Sequence, residues 1–168
     1  MKDYSADKIR NIAIVGHGSS GKTSLTAAFL FNSKATSRFT KVEKGNTVTD
    51  YDPDEIERNI SINSTPCFLE WNDHKINIVD CPGYTNFLWD TRASLRAVDS
   101  GAVVVGGVEG VEVGTEKVWE MLKELDLPRI LIINKLDREN SDYKRAVESI
   151  HQAFGRQAVP IQLPIGEE

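Results

Sequence analysis

The chain has 168 residues, 40% of them hydrophobic and 27% charged, with a formal net charge of −5. This length suits one domain with a real core, and the acidic balance argues against a free-standing DNA binder, which would usually be basic. No apolar stretch approaches the length of a membrane span, the N-terminus is too polar for a signal peptide, and the two cysteines lack the spacing of a zinc site or a disulfide framework. We therefore expect a cytoplasmic domain that binds neither DNA nor a membrane.

The first elements in chain order are a strand over residues 9–15 and a helix over about 23–32, joined by a glycine-rich loop. Residues 16–23 read Gly-His-Gly-Ser-Ser-Gly-Lys-Thr, the phosphate-binding pattern G-x-x-x-x-G-K-[ST]. Glycines let such a loop curl so that its N–H groups surround an anion, and the helix N-terminus adds positive potential. The motif predicts a nucleoside triphosphate site built from His17, Gly18, Ser19, Ser20, Gly21, Lys22, Thr23 and Ser24.

A long polar segment, residues 33–59, comes next and shows no clear period. A connection of this length inside a compact domain is usually functional or disordered. Alternating residues over 62–71 and 75–80 then predict an antiparallel hairpin. The hairpin ends at Asp-Cys-Pro-Gly, which fits D-x-x-G at the carboxyl end of a strand, where ligands bind in open α/β sheets. There Asp80 can hold Mg²⁺, directly or through water, and the N–H of Gly83 can approach a terminal phosphate, although a plain turn also fits this short motif.

Helix and strand patterns alternate over the rest of the chain. The predicted segments are a helix over 86–98, a strand over 102–105, a helix around 118–125, a strand over 130–133, a helix over 143–154 and a short strand over 159–163. This succession predicts an α/β fold of the P-loop NTPase type. Its sheet is mostly parallel with one antiparallel edge hairpin, and helices cover both faces.

Residues 134–137 follow the strand over 130–133 and read Asn-Lys-Leu-Asp, the pattern N-K-x-D. The carboxylate of Asp137 can accept hydrogen bonds from the ring N1–H and the exocyclic amine of guanine, which adenine cannot offer. Asn134 can bond the purine from another edge, and the stem of Lys135 can pack along the base. Because it follows the two earlier motifs along the chain, this pattern favours GTP over ATP. An ATPase or small-molecule kinase is the alternative, and competition between the two nucleotides separates them.

These motifs together resemble the translational GTPases, in particular the G domain of the elongation factor G family, over nearly the whole chain. The segments that carry the family likeness beyond the GTPase motifs are 10–12, 42–45, 76–80, 110–112, 128–130 and 162–166. Ribosomal tetracycline-protection proteins and class II release-factor GTPases are close relatives and stay open as alternatives.

The resemblance implies a GTPase that binds GTP or GDP with Mg²⁺ and acts on the ribosome as part of a monomeric factor in translocation or recycling, with slow hydrolysis away from the ribosome. The roles it implies are phosphate contact for Lys22, Ser24 and Gly83, and Mg²⁺ binding for Thr23, Ser61 and Asp80. Residues 33–59 become switch I and residues 81–92 switch II, segments that order around the γ phosphate and relax after hydrolysis.

The chain also lacks a Ser-Ala dipeptide after Asp137, which is typical of a further loop near the base in this family. We therefore expect residues 1–168 to be an N-terminal fragment of a longer multidomain factor. The base loop and the last strand and helix of the G domain would lie outside it.

Four positions depart from the family pattern. Residues 58–62, at the end of switch I, read Arg-Asn-Ile-Ser-Ile where the family has Arg-Gly-Ile-Thr-Ile, and Ser61 keeps the hydroxyl expected to meet Mg²⁺. In the phosphate loop, Ser19 replaces an aspartate. Tyr84 replaces the histidine that positions the attacking water, and a phenol is neutral near pH 7. We expect Tyr84, Lys22 and Gly83 to form the catalytic group. Tyr84 makes this either a slower GTPase, as in a divergent second type of elongation factor G with Pro-Gly-Tyr, or a switch module with marginal hydrolysis.

Overall fold

The computed structural model describes residues 2–166. Its strands are β1 (Ile9–Gly16), β2 (Thr65–Trp71), β3 (His74–Asp80), β4 (Ser100–Gly106) and β5 (Arg129–Asn134). Its α-helices are α1 (Lys22–Asn32), α2 (Pro53–Arg58), α3 (Leu88–Ser94), α4 (Val113–Glu124) and α5 (Tyr143–Phe154). No helix in this part of the chain is long and apolar enough to cross a membrane.

The five strands form one sheet in the order β2-β3-β1-β4-β5. Strand β1 pairs in parallel with β3 and β4, β4 pairs in parallel with β5, and only β2 runs antiparallel, against β3. The predicted fold, a mostly parallel sheet with an antiparallel edge hairpin, is therefore confirmed. Because β1, β3, β4 and β5 all run the same way, the loops after them meet at one edge of the sheet, where such folds bind ligands.

Helices cover both faces of the sheet. On one face Leu30 of α1 packs with Ile14 and Val104 from the central strands. On the other face α3 and α4 contribute a cluster that includes Leu88 and Leu122. Helix α5 completes this second layer, and the ring of its Phe154 stacks on Trp119 of α4 with centroids 4.1 Å apart.

Four predicted elements differ from the structure. Helix α4 begins at Val113, five residues before the predicted start near residue 118. Strand β2 begins at Thr65, three residues later than predicted, because the N–H groups of residues 62 and 63 bond to the Glu55 side chain instead of a neighbouring strand. The predicted helix over 86–98 is divided into a 3₁₀ turn, α3 and a second 3₁₀ turn. The predicted strand over 159–163 is wrong: these residues pair with no strand, and the Val159, Ile161 and Leu163 side chains are exposed.

Candidate nucleotide-binding site

The phosphate loop curves between β1 and α1 by means of left-handed backbone positions. Gly16 has a φ of +146° and Gly21, the residue that caps α1, has a φ of +92°. A Cβ atom on Gly21 would overlap the side-chain nitrogen of Asn134, so this position needs glycine for its conformation and for its space. The loop therefore brings its backbone against the loop that follows β5.

Lys22 lies under the phosphate loop and is almost completely buried. Its ammonium group donates a hydrogen bond of 2.7 Å to the carbonyl oxygen of His17, and a Cβ atom on Gly83 would overlap it. Burial lowers the pKa of Lys22 to about 8, against the opposing influence of the nearby Asp80 carboxylate. Lys22 and the backbone of Gly83 thus face each other, as the two expected phosphate contacts require.

Side-chain oxygens from three segments meet beside the start of α1. The Thr23 hydroxyl lies 3.0 Å from the Ser61 hydroxyl, which itself donates to Asp50 at 2.8 Å. The Thr49 hydroxyl donates to one oxygen of Asp80 at 2.7 Å. The three expected metal-site residues, Thr23, Ser61 and Asp80, are therefore brought to one place. Asp50 and Thr49 join them, and no motif in the sequence points to these two.

The donor set fits Mg²⁺. The second oxygen of Asp80, Oδ1, is buried and has no hydrogen-bond partner in the described residues, so a water of a hydrated cation would satisfy it. Burial raises the pKa of Asp80 to about 6, while the hydrogen bond from Thr49 acts in the opposite direction. No cluster of three or more His, Cys, Asp or Glu suited to a metal occurs in residues 2–166. Mg²⁺ usually takes one or two carboxylates plus waters and phosphates, so this sparse set suits it.

Switch I contains a short helix that the sequence analysis did not predict. Helix α2 begins with Asp52 as its N-cap, Pro53 at its first position and Glu55 completing a capping box. The buried Glu55 carboxylate also accepts hydrogen bonds from the N–H groups of Ile62 and Asn63, at 2.9 and 3.0 Å. Glu55 therefore holds the end of switch I and so places Ser61 beside the start of α1.

The last residue of β5 and the loop after it contact the phosphate loop through two of the three residues expected to bind the base. Asn134 donates from its side-chain amide to the carbonyl oxygen of Ser20 at 3.0 Å, and the Lys135 ammonium donates to the carbonyl oxygen of Ser19. Asp137 belongs to the same loop and is exposed, with no side-chain hydrogen bond in the described part of the chain. Its carboxylate is therefore accessible to a ligand.

His17 is directed to the start of α4. Its Nδ1 accepts a hydrogen bond of 3.1 Å from the N–H of Gly114, and its Nε2 lies 3.4 Å from a carboxylate oxygen of Glu112. These contacts hold the ring against α4, so the His17 side chain supports the loop, while its backbone remains part of the phosphate-loop curve.

One cavity of about 330 Å³ unites these segments. The residues that line it are Gly18, Ser19, Gly21, Lys22, Thr23, Ser24, Val42, Glu43, Asp50, Asn59, Ile60, Ser61, Gly83, Tyr84, Lys135 and Arg138. Tyr84 covers part of it, with its hydroxyl 3.2 Å from the Ser19 hydroxyl. The site defines a nucleotide-binding domain of the phosphate-loop class with two switch segments around the cavity.

Comparison with known proteins identifies the family. The model of the elongation factor Tu GTP binding domain matches residues 7–163, so the chain belongs to this family of translational GTPases. The chain is 41% identical over 167 residues to the mitochondrial ribosome-releasing factor 2 of Candida albicans, and the match covers 99% of this chain and 21% of that protein. It is 40% identical to elongation factor G of Granulibacter bethesdensis over 100% of its own length and 24% of that factor. The resemblance to the elongation factor G family is confirmed.

A solved structure agrees with this assignment. A crystal structure of a protein from Thermus thermophilus aligns with a TM-score of 0.85 and 37% sequence identity, covering 88% of this chain and 22% of that one. The chain thus spans about a fifth to a quarter of the length of the curated relatives named above.

Proposed function

We propose that this chain binds GTP with Mg²⁺, hydrolyses it to GDP and phosphate, and forms the G domain of a longer factor that acts on the ribosome. The observation that carries the proposal is one cavity lined by the phosphate loop, by Asp50 and Ser61, and by Lys135 of the loop after β5. Asp80 and Asn134 lie behind this lining, bonded to Thr49 and to the carbonyl oxygen of Ser20. The relatives' names support translocation or ribosome release as the step served. The factor is proposed to act as a monomer in the cytoplasm.

Nucleotide binding begins with the phosphates. Backbone N–H groups of residues 18–24 would surround them at the start of α1, and the Lys22 ammonium, now bonded to the carbonyl oxygen of His17, would contact the β and γ oxygens. Asp137 would accept both hydrogen bonds of the guanine edge, with Asn134 and Lys135 holding the loop to the phosphate loop. The same residues discriminate against adenine, because adenine would leave the Asp137 carboxylate without donors.

Thr23, Ser61 and Asp80 would hold hydrated Mg²⁺, with Asp50 bonded to Ser61 behind them. When bound, the metal neutralises charge that develops on the β and γ phosphates. Ser61 lies two residues after switch I and Thr23 belongs to α1, so a movement of switch I would also move Ser61 relative to Thr23. This supports a switch that responds to the triphosphate.

Hydrolysis is a direct displacement. Water attacks the γ phosphorus, the bond from that phosphorus to the β–γ bridging oxygen breaks, and GDP and inorganic phosphate leave. Lys22 and the Gly83 N–H would stabilise charge on the transferred group, and the two residues lie in contact. Tyr84 lies beside the cavity and would position the water, without the positive charge that a protonated histidine supplies.

A specific observation favours the second candidate, a GTP switch with marginal hydrolysis. The Tyr84 hydroxyl is hydrogen-bonded to Ser19, so part of its bonding capacity is already used. The experiment that separates the candidates is single-turnover phosphate release by the full-length factor at saturating ribosomes. Ribosome-stimulated release supports the GTPase, whereas tight GTP binding with no stimulated release supports the switch. Failure to bind GTP at all would remove both.

A further inference from the structure

The contact between Tyr84 and Ser19 joins two walls of the cavity. The hydroxyl oxygens lie 3.2 Å apart although the residues are 65 positions apart in the chain. Tyr84 belongs to switch II and Ser19 to the phosphate loop, and both line the cavity. Their hydrogen bond therefore ties the switch wall of the cavity to the wall that holds phosphate.

Gly18 provides the surface on which the Tyr84 ring rests. A Cβ atom on Gly18 would lie 2.9 Å from Cζ and 3.0 Å from Cε1 of the ring, closer than such atoms normally approach. Gly18 does not have a left-handed φ, so an alanine here would meet no backbone strain. The absent side chain at this position is what allows the ring to lie against the loop.

Under the proposed function, a third phosphate would contact Lys22 and the N–H of Gly83, and the Tyr84–Ser19 contact lies next to these two residues. The residue before Tyr84 is Gly83, whose Cα lies against the Lys22 ammonium and the backbone of Gly16 and Gly18. Gly83 thus contacts Lys22 and the phosphate loop directly, and the hydrogen bond of Tyr84, the next residue, helps to hold it there.

We propose that Tyr84, seated on Gly18 and bonded to Ser19, is a clasp that closes the γ-phosphate end of the cavity and slows the departure of a bound nucleoside triphosphate. Ser19 is the positioning residue of this clasp. The inference rests on the proposed function, since it assumes that the cavity takes GTP. A diphosphate does not occupy the closed end, so the clasp retains GTP much more than GDP.

The test measures dissociation of a fluorescent, non-hydrolysable GTP analogue and of fluorescent GDP from the full-length factor with Mg²⁺. Tyr84→Phe and Ser19→Gly should each speed triphosphate dissociation about fivefold, the size expected for one exposed neutral hydrogen bond. The double variant should show the same fivefold effect, because both changes remove one bond. GDP dissociation should change less than about twofold, because only part of the free energy of this one hydrogen bond would affect the release of GDP. Ser19 has a φ of +63°, which glycine adopts without the strain that alanine keeps. Ser19→Ala is therefore the control, because it removes the same hydroxyl without relieving that strain.

A second pair of variants tests the ring seat. Gly18→Ala should speed triphosphate dissociation in the parent and have no further effect in the Tyr84→Ala background, where no ring is displaced. The clasp would be overturned if the double variant Ser19→Gly/Tyr84→Phe sped triphosphate dissociation by the product of the two single effects. It would also be overturned if the variants sped GDP dissociation as much as triphosphate dissociation. A parent that binds the analogue with no change in any variant refutes the clasp alone. A parent that does not bind it refutes the proposed function and the clasp together.

Discussion

The Thr49 hydroxyl donates a 2.7 Å hydrogen bond to the buried carboxylate of Asp80, which joins switch I to the end of β3. The other Asp80 oxygen has no partner in the described residues. One side of this carboxylate is thus bonded by the protein and the other is available to a ligand. We therefore expect Asp80 to couple metal binding to the position of switch I.

The first prediction concerns pH. The pKa of Asp80 is raised from its ordinary value to about 6 by burial, so between these two values the folded state binds more protons than the unfolded state. Without nucleotide and Mg²⁺, the free energy of unfolding should fall as the pH rises from about 4 to about 6, by roughly 3 kcal/mol at most. Asp80→Asn should remove this dependence. Chemical denaturation across this range measures it, and an unchanged pH slope in the variant would contradict the assignment.

Metal binding should respond to pH in the opposite sense. Mg²⁺ needs the ionised carboxylate, so Mg²⁺-dependent GDP binding should weaken as the pH falls below about 6. Thr23→Ala should weaken Mg²⁺-dependent binding of both GDP and GTP, because Thr23 belongs to α1 in either state. Ser61→Ala should spare GDP, because switch I engages the metal only beside the γ phosphate. Titration with both nucleotides tests this difference, and equal loss for GDP and GTP in Ser61→Ala would show that Ser61 is not a triphosphate-specific ligand.

The base specificity should depend on Asp137. Asp137→Asn removes the acceptor pair that faces guanine and should shift preference towards xanthine nucleotides by orders of magnitude. Competition between GTP and xanthosine triphosphate measures the ratio. The neighbouring exposed Glu139→Gln is a matched control and should leave the ratio unchanged. A ratio that stays the same in Asp137→Asn would place the base elsewhere.

Glu55 should govern the order of switch I. Its carboxylate accepts from the N–H groups of Asp52, Ile62 and Asn63 inside a buried site. Glu55→Gln places an amide donor against a backbone donor and should cost about 1–3 kcal/mol of stability. Hydrogen exchange should rise over residues 52–63. Glu57→Gln, on the exposed side of the same helix, is the control, and an equal effect of the two variants would refute this role.

Hydrolysis should respond to residue 84. Tyr84→His can supply a positive charge near the water and should raise ribosome-stimulated release of phosphate in the full-length factor, whereas Tyr84→Ala should lower it or leave it near basal. A gain of about tenfold corresponds to roughly 1.4 kcal/mol of transition-state stabilisation. If Tyr84→His is slower at unchanged GTP affinity, the tyrosine is itself a working part of the site.

Much of the fold followed from the sequence because buried parallel strands and amphipathic helices leave strong periodic patterns. The apolar runs of β1, β4 and β5 and the spacing in α5 were placed within two residues. The error at 159–163 has a physical cause: an alternating apolar segment becomes a strand only beside a partner strand, which a local pattern does not reveal. Helix α2 was missed although Asp52-Pro53 and Glu55 form an N-terminal capping signature, because its six residues are too few to show a period.

The candidate site likewise contains residues that a local motif identifies and residues that only the folded chain brings together. The phosphate loop, Asp80 and Asn134 are contiguous motifs, so the sequence identified them directly. Asp50 and Thr49 reach the site only through the folding of switch I, and the contact between Tyr84 and Ser19 spans 65 residues. Such contacts depend on tertiary structure, and no local pattern encodes them.

The most direct test of the central claim is competition between GTP and ATP for the full-length factor, measured against fluorescent GDP with and without Mg²⁺. We expect GTP to be preferred by at least about a hundredfold, because ATP leaves the Asp137 carboxylate without its donors. We also expect the binding of GTP to require Mg²⁺. Equal affinity for the two nucleotides, or binding that is indifferent to Mg²⁺, would contradict a guanine-nucleotide site built from these residues.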